Sequence, residues 1–413
     1  MTRLRTVEEQ LDHVLAHVTQ TPSERVPLTA AHGRTTRAPI AAAVDIPAFE
    51  NSAMDGFAVR FADVAGANPE HPLTLSVVAD LPAGTDLDPP LGPGQAARIM
   101  TGSPLPTDAD VIVPFEDTAG GLADSLGEIA VRIAPQSAGA HVRRRASDAA
   151  IGDEVVPTGV RLGALQLAAA AASGIAEVTV ARAPRVAVIS TGSELVAPGS
   201  PLRRGQIPES NSTLLAALAV EVGAEVVLTA SVDDTDAAFI GVLADARAAG
   251  AEIVITSGGV SEGAFEVVKN ALSGSDIAFV KVAMQPGKPQ AFGRLPGGAH
   301  LFGLPGNPVS AAVSFEVFVR PVLLAMQGRD DIHRARLVLP AASSWRTPPG
   351  RRQYLPAAID RSDPAQWTVR PATAGGSGSH LAGGLARAEA YAIVPAEIDA
   401  VAAGDPIEVM LIG

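Results

Sequence analysis

The sequence predicts a multidomain α/β protein, and three observations carry that prediction. Over residues 184–327, short apolar runs alternate with helical stretches, the pattern of βαβ units wound into a parallel sheet. Over 44–139, and again after 328, the helical period disappears and short β-rich runs are divided by Pro, Gly and Asp. A length of 413 residues is enough for about three domains.

Composition narrows the function classes. Hydrophobic residues make up 47% and charged residues 18%, so a sizeable core can form. The net charge of −13 argues against nucleic acid as the main partner, because phosphate backbones need a basic face. With no cysteine, a disulfide framework and a thiolate metal site are both excluded. Residues 1–10 carry Arg3, Arg5, Glu8 and Glu9 without an apolar signal core, and no run of about 18 apolar residues occurs. A soluble, cytoplasmic protein without a membrane span is expected.

Taken in order, Thr6-Val7-Glu8-Glu9 reads as a capping box, and Val7, Leu11, Val14, Leu15 and Val18 form one apolar stripe behind it. His13 and His17 have a spacing that suits a metal, but no carboxylates accompany them, so a solvated face is expected. Residues 73–78 and 110–113 are strand-like runs in the β-rich module. Arg143-Arg144-Arg145 follow, then a helix over 162–172 closed by Gly174. Strands are expected at 185–189, 226–228 and 253–256, with helices at 214–222 and 237–249. The last region gives strands at 336–339, 354–359, 367–370, 390–394 and 407–412, read as a small terminal β-barrel in which Gly375 to Ser379 form a loop.

Three Gly- and Pro-rich turns follow apolar runs between 251 and 310: Ser257-Gly258-Gly259-Val260-Ser261, Gln285-Pro286-Gly287-Lys288-Pro289 and Leu304-Pro305-Gly306-Asn307-Pro308. Such turns at strand ends offer backbone N–H groups to an anion and predict a ligand-binding rim. Asn307 suits an N-cap and Pro308 the first helical position, opening a helix through Phe315, Val317 and Leu323 with its positive end at the turn. Acids also sit on Gly turns: Asp55 before Gly56, Glu194 after Thr191-Gly192-Ser193, the pair Asp233-Asp234, and Glu266. Carboxylates facing an anion pocket repel its ligand unless Mg²⁺ joins them, since that ion takes a few carboxylates plus phosphate oxygens. Taken singly, each acid reads as a cap or turn residue, except Asp55, which lies outside any evident cap. Neither a Gly-x-Ser-x-Gly elbow nor a His-Glu-x-x-His helix is present, which leaves little support for a hydrolase nucleophile or a zinc site.

Five segments together resemble one family. Asn51-Ser52-Ala53-Met54-Asp55-Gly56-Phe57-Ala58, Ile99-Met100-Thr101-Gly102, Thr191-Gly192-Ser193-Glu194-Leu195, Ser257-Gly258-Gly259-Val260-Ser261 and Leu304-Pro305-Gly306-Asn307-Pro308-Val309-Ser310 occur in the order of the molybdopterin molybdenumtransferases, the MoeA and gephyrin E-domain family. The resemblance extends over essentially the whole chain, including Gly378-Ser379-His380 and Leu385-Ala386-Arg387-Ala388. It implies a segmented N-terminal domain (1–43 with 141–176), an inserted β-rich domain (44–140), a MogA-like βαβ molybdopterin-binding domain (177–327) and a C-terminal β-barrel (328–413). It also implies insertion of molybdate into adenylylated molybdopterin, AMP release and Mg²⁺ in the site. A homodimer with its site at the subunit interface is implied too, with the molybdopterin adenylyltransferase as a candidate partner. By resemblance, Asp55, Thr101, Glu194 and Asp233 match positions tied to turnover, and Asp55, Glu194, Asp233 and Glu266 form the metal set. Thr191, Gly192, Ser193, Ser257, Gly258, Gly259, Ser261, Lys288, Pro305, Gly306, Asn307, Pro308 and Ser310 match the substrate pocket. The pterin supplies both sulfurs, which accords with a protein that has no cysteine.

Three places depart from the commoner family pattern. Glu266 stands where an Asp is usual, Gln285 replaces a Lys, and Ala146-Ser147-Asp148 replaces Gly-Glu-Asp. A non-catalytic molybdopterin or molybdate carrier, or a scaffold paralogue, is therefore the alternative reading. Retention of Asp55, Thr101 and Glu194 favours catalysis.

Overall fold

Thr6 opens the first helix, Val7–Leu15, with both bonds of a capping box. Its backbone N–H donates to Glu9 Oε2 at 2.9 Å, and its hydroxyl oxygen accepts from the Glu9 N–H at 3.0 Å. The computed structural model describes residues 4–122, 126–260, 267–272, 274–373 and 382–412, the side chain of Val267 excepted. Val7 and Val14 of the first helix are buried in the largest apolar cluster. His13 and His17 do not form a simple solvated face. Their rings pack edge-on against Phe292, with centroids at 5.7 and 5.9 Å, and the His300 ring lies parallel to that of Phe292 at 5.7 Å. The pair therefore helps to dock the helix on the sheet.

That sheet has six strands in the order Glu225–Val232, Arg185–Thr191, Ile253–Ser257, His300–Leu304, Pro289–Arg294, Ile277–Lys281. The first four are parallel, while the last two join by antiparallel pairing. The hairpin 277–294 was not legible as such, since its second strand begins with a proline. Because strand side chains alternate, Val186, Val188 and Ile255 face one core with Leu215 of the helix Asn211–Glu221. Ala187, Ile189 and Val254 face the other, with Phe239 and Val242 of the helix Asp236–Ala248.

The helix Pro308–Met326 lies in the first of these cores. It is long and apolar enough to cross a membrane, but 94% of it is buried inside the protein. Its middle turn, Phe315–Val319, is π-helical. Pro321 has no N–H for the carbonyl four residues back, which accounts for the widened turn just before it. Glu316 is buried there and accepts both arms of the Arg334 guanidinium, at 2.9 and 3.0 Å.

The β-rich region forms a second six-stranded sheet, in the order Val111–Pro114, Gly56–Val59, Gln95–Ile99, Leu73–Leu81, Glu128–Val131, Thr118–Ala119. Segments on either side of it pair with each other: Ser23–Pro27 with Glu177–Ala181, and Ile40–Ala41 with Glu154–Val156. The terminal region forms a barrel-like sheet from Arg336–Pro340, Arg352–Asp360, Thr368–Pro371, Ala390–Val394 and Pro406–Leu411. Its sixth strand is Met284–Gln285, which pairs in parallel with Arg352 and Gln353. One of the three predicted turns is thus stitched to the terminal sheet.

Two expectations follow from local geometry. Ala146 has φ +59°, a left-handed conformation, at the position where the resembled family carries glycine. Ala146→Gly should stabilise the protein by about 0.5–1 kcal/mol, because it removes a Cβ clash that exceeds the entropy glycine adds to the unfolded chain. A urea midpoint that fails to rise would contradict this. The His13 and His300 imidazoles are both held below the ordinary histidine value. Burial is the main cause; His17 and Arg5 add repulsion at His13, and Arg294 and His17 add it at His300. Glu252 and Asp276 line the same hollow. A depressed histidine value means the unfolded chain takes up protons that the fold resists. Stability is therefore complete above about pH 6.5 and declines as the pH falls below it toward the folded values. Thermal unfolding should occur at lower temperature at pH 5.5 than at pH 7.5, and His300→Phe should shrink that difference.

Candidate functional site

The strands Arg185–Thr191, Ile253–Ser257, Ile277–Lys281 and His300–Leu304 run in one sense and end on one edge of the sheet. A cleft of about 920 Å³ opens at that edge. It gathers all three predicted turns, with Thr191, Gly192, Ser257, Gly258, Gly259, Lys288, Pro305, Gly306, Asn307, Pro308 and Ser310 on its walls. Glu194 joins them; Ser193 is not among the lining residues. Ser261 and Glu266 lie outside the described residues.

Close backbone approach explains the glycines. Gly258 has φ +96°, and a Cβ there would sit 2.7 Å from the Thr191 carbonyl oxygen and 2.8 Å from its hydroxyl. No larger residue lets the two strand ends meet. The turn after Gln285 is held by Gln290, whose Nε2 donates to the Gly287 carbonyl and to Ser314 Oγ, both at 2.7 Å. Asn307 occupies the N-cap position of the helix beginning at Pro308, but its side chain makes no capping bond to the first turn.

Charge at the cleft and beside it differs from the sequence expectation in two respects. Arg351 Nη1 donates to Gln285 Oε1 at 2.7 Å, so a guanidinium from the terminal sheet stands at the turn where Gln285 replaces a lysine. Nothing local signals a residue 66 positions away. Asp234, rather than Asp233, lines the cleft. Its Oδ2 accepts from the Ser193 N–H at 2.9 Å, whereas Asp233 Oδ1 accepts from the Thr235 hydroxyl at 2.7 Å, beside the N-cap of the next helix.

Two further lining residues were missed. Glu209 is 7% exposed; its Oε1 accepts from Ser190 Oγ at 2.7 Å and from the Ser212 N–H at 2.9 Å, while Oε2 accepts from the Ser212 hydroxyl. Asn211 is buried beside it, and its Nδ2 donates to the Gly306 carbonyl at 2.6 Å. The strand pair Leu195–Val196 with Ile207–Pro208 delivers both to the cleft. From sequence alone, Glu209-Ser210-Asn211-Ser212 signals only a helix start.

Asp55 and Thr101 are brought together, though not in this cleft. Asp55 Oδ1 accepts from the Thr101 hydroxyl at 2.7 Å and from its backbone N–H at 2.6 Å, and those bonds, the hydroxyl first, hold the carboxyl below the usual carboxylate range. Next to it, a Cβ on Gly56 would strike the Val113 carbonyl at 2.1 Å, so only glycine lets the strand that follows Asp55 pair there. Arg144 and Arg145 are engaged with Glu50 and Asp45 in the same region. Among the described residues, no group of three or more His, Asp or Glu converges as a metal cage. Of the acids expected to share a metal, Asp55, Glu194 and Asp233 are therefore not assembled among the described residues.

Comparison with known proteins agrees with this architecture. Family models for the MoeA N-terminal region (domain I and II), a probable molybdopterin binding domain and the MoeA C-terminal region (domain IV) match residues 5–174, 187–325 and 327–412. Molybdopterin molybdenumtransferase 2 of Mycobacterium tuberculosis H37Rv is 44% identical over 391 residues, covering 93% of this chain and 94% of that protein. The molybdopterin molybdenumtransferase of Synechococcus elongatus is 37% identical over 413 residues, covering 97% of each. The chain belongs to the molybdopterin molybdenumtransferase family. A crystal structure of the molybdopterin biosynthesis MoeA protein from Pyrococcus horikoshii, 30% identical, superposes with a TM-score of 0.79 over 99% of both chains. Family membership places the three-turn cleft in the region matched by the molybdopterin-binding model.

Proposed function

We propose that the protein inserts molybdate into the dithiolene of adenylylated molybdopterin and releases AMP. The observation that carries this reading is the cleft itself. It sets Lys288 and Gly-lined backbone against Glu194, Glu209 and Asp234, a mixture suited to a polyanion that arrives with a divalent cation. Glu194 and Asp234 would hold Mg²⁺, whose charge would offset that of the phosphate oxygens. Lys288 and Arg351 draw the molybdate dianion to the 285–289 turn, and the Ser257–Gly259 backbone receives phosphate oxygens. Such a site acts by placing two anions together. The decisive assay is AMP release by the purified protein with adenylylated molybdopterin, Mg²⁺ and molybdate; binding without release would make it a carrier.

The working unit in this reading is a homodimer in which Asp55 of one subunit completes the cleft of the other. The helix Ala164–Ala172 supports it. Apart from Gln166 the helix is entirely apolar, yet Ala170 is its only buried residue and Leu165 is 81% exposed. A helix of that composition is normally covered, and a second copy of the chain would cover it.

Two outcomes are expected. Asp55→Ala should abolish AMP release without loss of fold, and so should Glu194→Ala. Mixed one to one and allowed to exchange, the two inactive variants should regain about a quarter of wild-type turnover, because half the dimers are then mixed and each has one intact site. No recovery, with exchange demonstrated, would place Asp55 and the cleft of one chain in the same site. Lys288→Gln should raise the molybdate concentration for half-maximal AMP release about 10- to 100-fold, as the loss of a charge-assisted hydrogen bond requires. An unchanged value would put the oxyanion elsewhere.

A further inference from the structure

We propose that Asn211 receives an N–H edge of the pterin ring, making its wall of the cleft the heterocycle end and leaving the 285–289 turn to the oxyanion. The inference rests on the molybdopterin reading above. It starts from the orientation of one amide. The Gly306 carbonyl can only accept a hydrogen bond, so the Asn211 NH₂ group must face it across their 2.6 Å contact. The side-chain oxygen is therefore turned the other way. Asn211 is 8% exposed and lines the cleft, and its Oδ1 is buried without a donor among the described residues. A buried acceptor left unmade is costly, and native structures rarely keep one without a use.

The chemistry of the two substrates decides which of them meets that oxygen. Molybdate and the phosphate oxygens present only acceptors at neutral pH, and an amide oxygen repels them. The adenylyl group offers its amine and ribose hydroxyls as single donors, whereas the pyrimidine ring of a 2-amino-4-oxopterin carries an amino group and a lactam N–H side by side, two donors along one edge that match adjacent acceptors. Glu209 extends the acceptor character of this wall. Its Oε1 already takes two hydrogen bonds, but Oε2 takes one, from Ser212, and keeps a direction open. Thr191 Oγ1, on the cleft wall and also buried without a partner among the described residues, is a hydroxyl that can turn to donate or accept. Lys288 lies instead on the turn after Met284, and Arg351 is bonded to that turn through Gln285. Donor-seeking and acceptor-seeking surfaces thus sit on different elements of one cleft.

Asn211 is also a pin for the Gly306 turn, and the test must separate the two roles. Asn211→Asp loses the donor to Gly306 but keeps an acceptor, whereas Asn211→Ala loses both. Fluorescence titration with adenylylated molybdopterin should show Asn211→Ala weakened about tenfold or more, and Asn211→Asp within about threefold of wild type. Equal weakening of both variants would reduce Asn211 to a pin, and an unchanged Asn211→Ala would remove it from the site. A second measurement does not depend on the variants folding alike. Wild type should prefer a 2-amino-4-oxopterin over the same ring methylated at its amino and lactam nitrogens by about tenfold or more, and Asn211→Ala should lose that preference. A wild type that binds both rings equally would overturn the proposal even with the transferase reading intact. A wild type that binds no adenylylated molybdopterin at all would remove the transferase reading itself.

Discussion

The buried helix Pro308–Met326 is the constraint on which the rest of the structure depends. Its first residues form the third turn of the cleft, so its positive end is committed to that site. One turn further on, Ser314 takes the Gln290 amide that also holds the Gly287 carbonyl, which fixes the second turn against the third. In its middle, Glu316 meets Arg334, at the lead-in to the terminal sheet. At its end, the Met326 carbonyl accepts from the Thr21 N–H at 2.8 Å, and Gln327 just beyond donates to the Val222 and Leu323 carbonyls. A helix buried so completely cannot shift without opening a cavity or leaving Glu316 unpaired, and both are severe penalties. The geometry of the cleft therefore follows from packing well away from it.

On the proposed reading, a cleft for anions in a protein of net charge −13 would need local correction of the field. The correction does not come from a general excess of base, which would attract nucleic acid and other polyanions indiscriminately. It comes from a few placed groups. Lys288 is carried on a turn fixed by Gln290, and Arg351 reaches the same turn because Met284 and Gln285 pair with Arg352 and Gln353. A guanidinium gives a fork of fixed direction and an ammonium a point charge on a flexible stem, so in the proposed reaction the two would meet different oxygens of the molybdate ion. Replacement of lysine by Gln285 is in this light less a loss than a transfer: the neutral amide orients Arg351, which brings the charge.

How much of this was legible depended on whether the signal was local. The capping box at Thr6 and Glu9, the Pro308 helix start and the glycine turns are written within a few residues, because each answers a local backbone demand. The terminal strands were readable for the same reason. What escaped depended on distant partners. Asp233 and Asp234 are identical in sequence terms, and only the Thr235 hydroxyl and the Ser193 amide separate them. His13 and His17 looked solvated because Phe292, which packs against them, lies 279 and 275 positions further along the chain (292 − 13 and 292 − 17), on a strand that opens with proline. Glu209 and Asn211 looked like a helix start, which they are; that the start faces a cleft is a property of sheet order. Local rules locate the turns, and topology decides what the turns enclose.

Asp55 closes the argument about where function is concentrated. It is an exposed carboxylate, yet it is held by two hydrogen bonds from Thr101, in the bend just before a strand whose first residue, Gly56, permits no side chain. Ordering an exposed acid costs side-chain entropy and contributes little to stability, because water solvates a free carboxylate as well as Thr101 does. The same bonds keep it ionised well below neutral pH. In the proposed dimer, a charged group so held and facing outward, where no described residue of its own cleft meets it, would serve the cleft of the partner chain. The uncovered apolar helix Ala164–Ala172 makes a second copy of the chain the economical candidate, since one association would both bury that helix and give the carboxylate a cleft to serve.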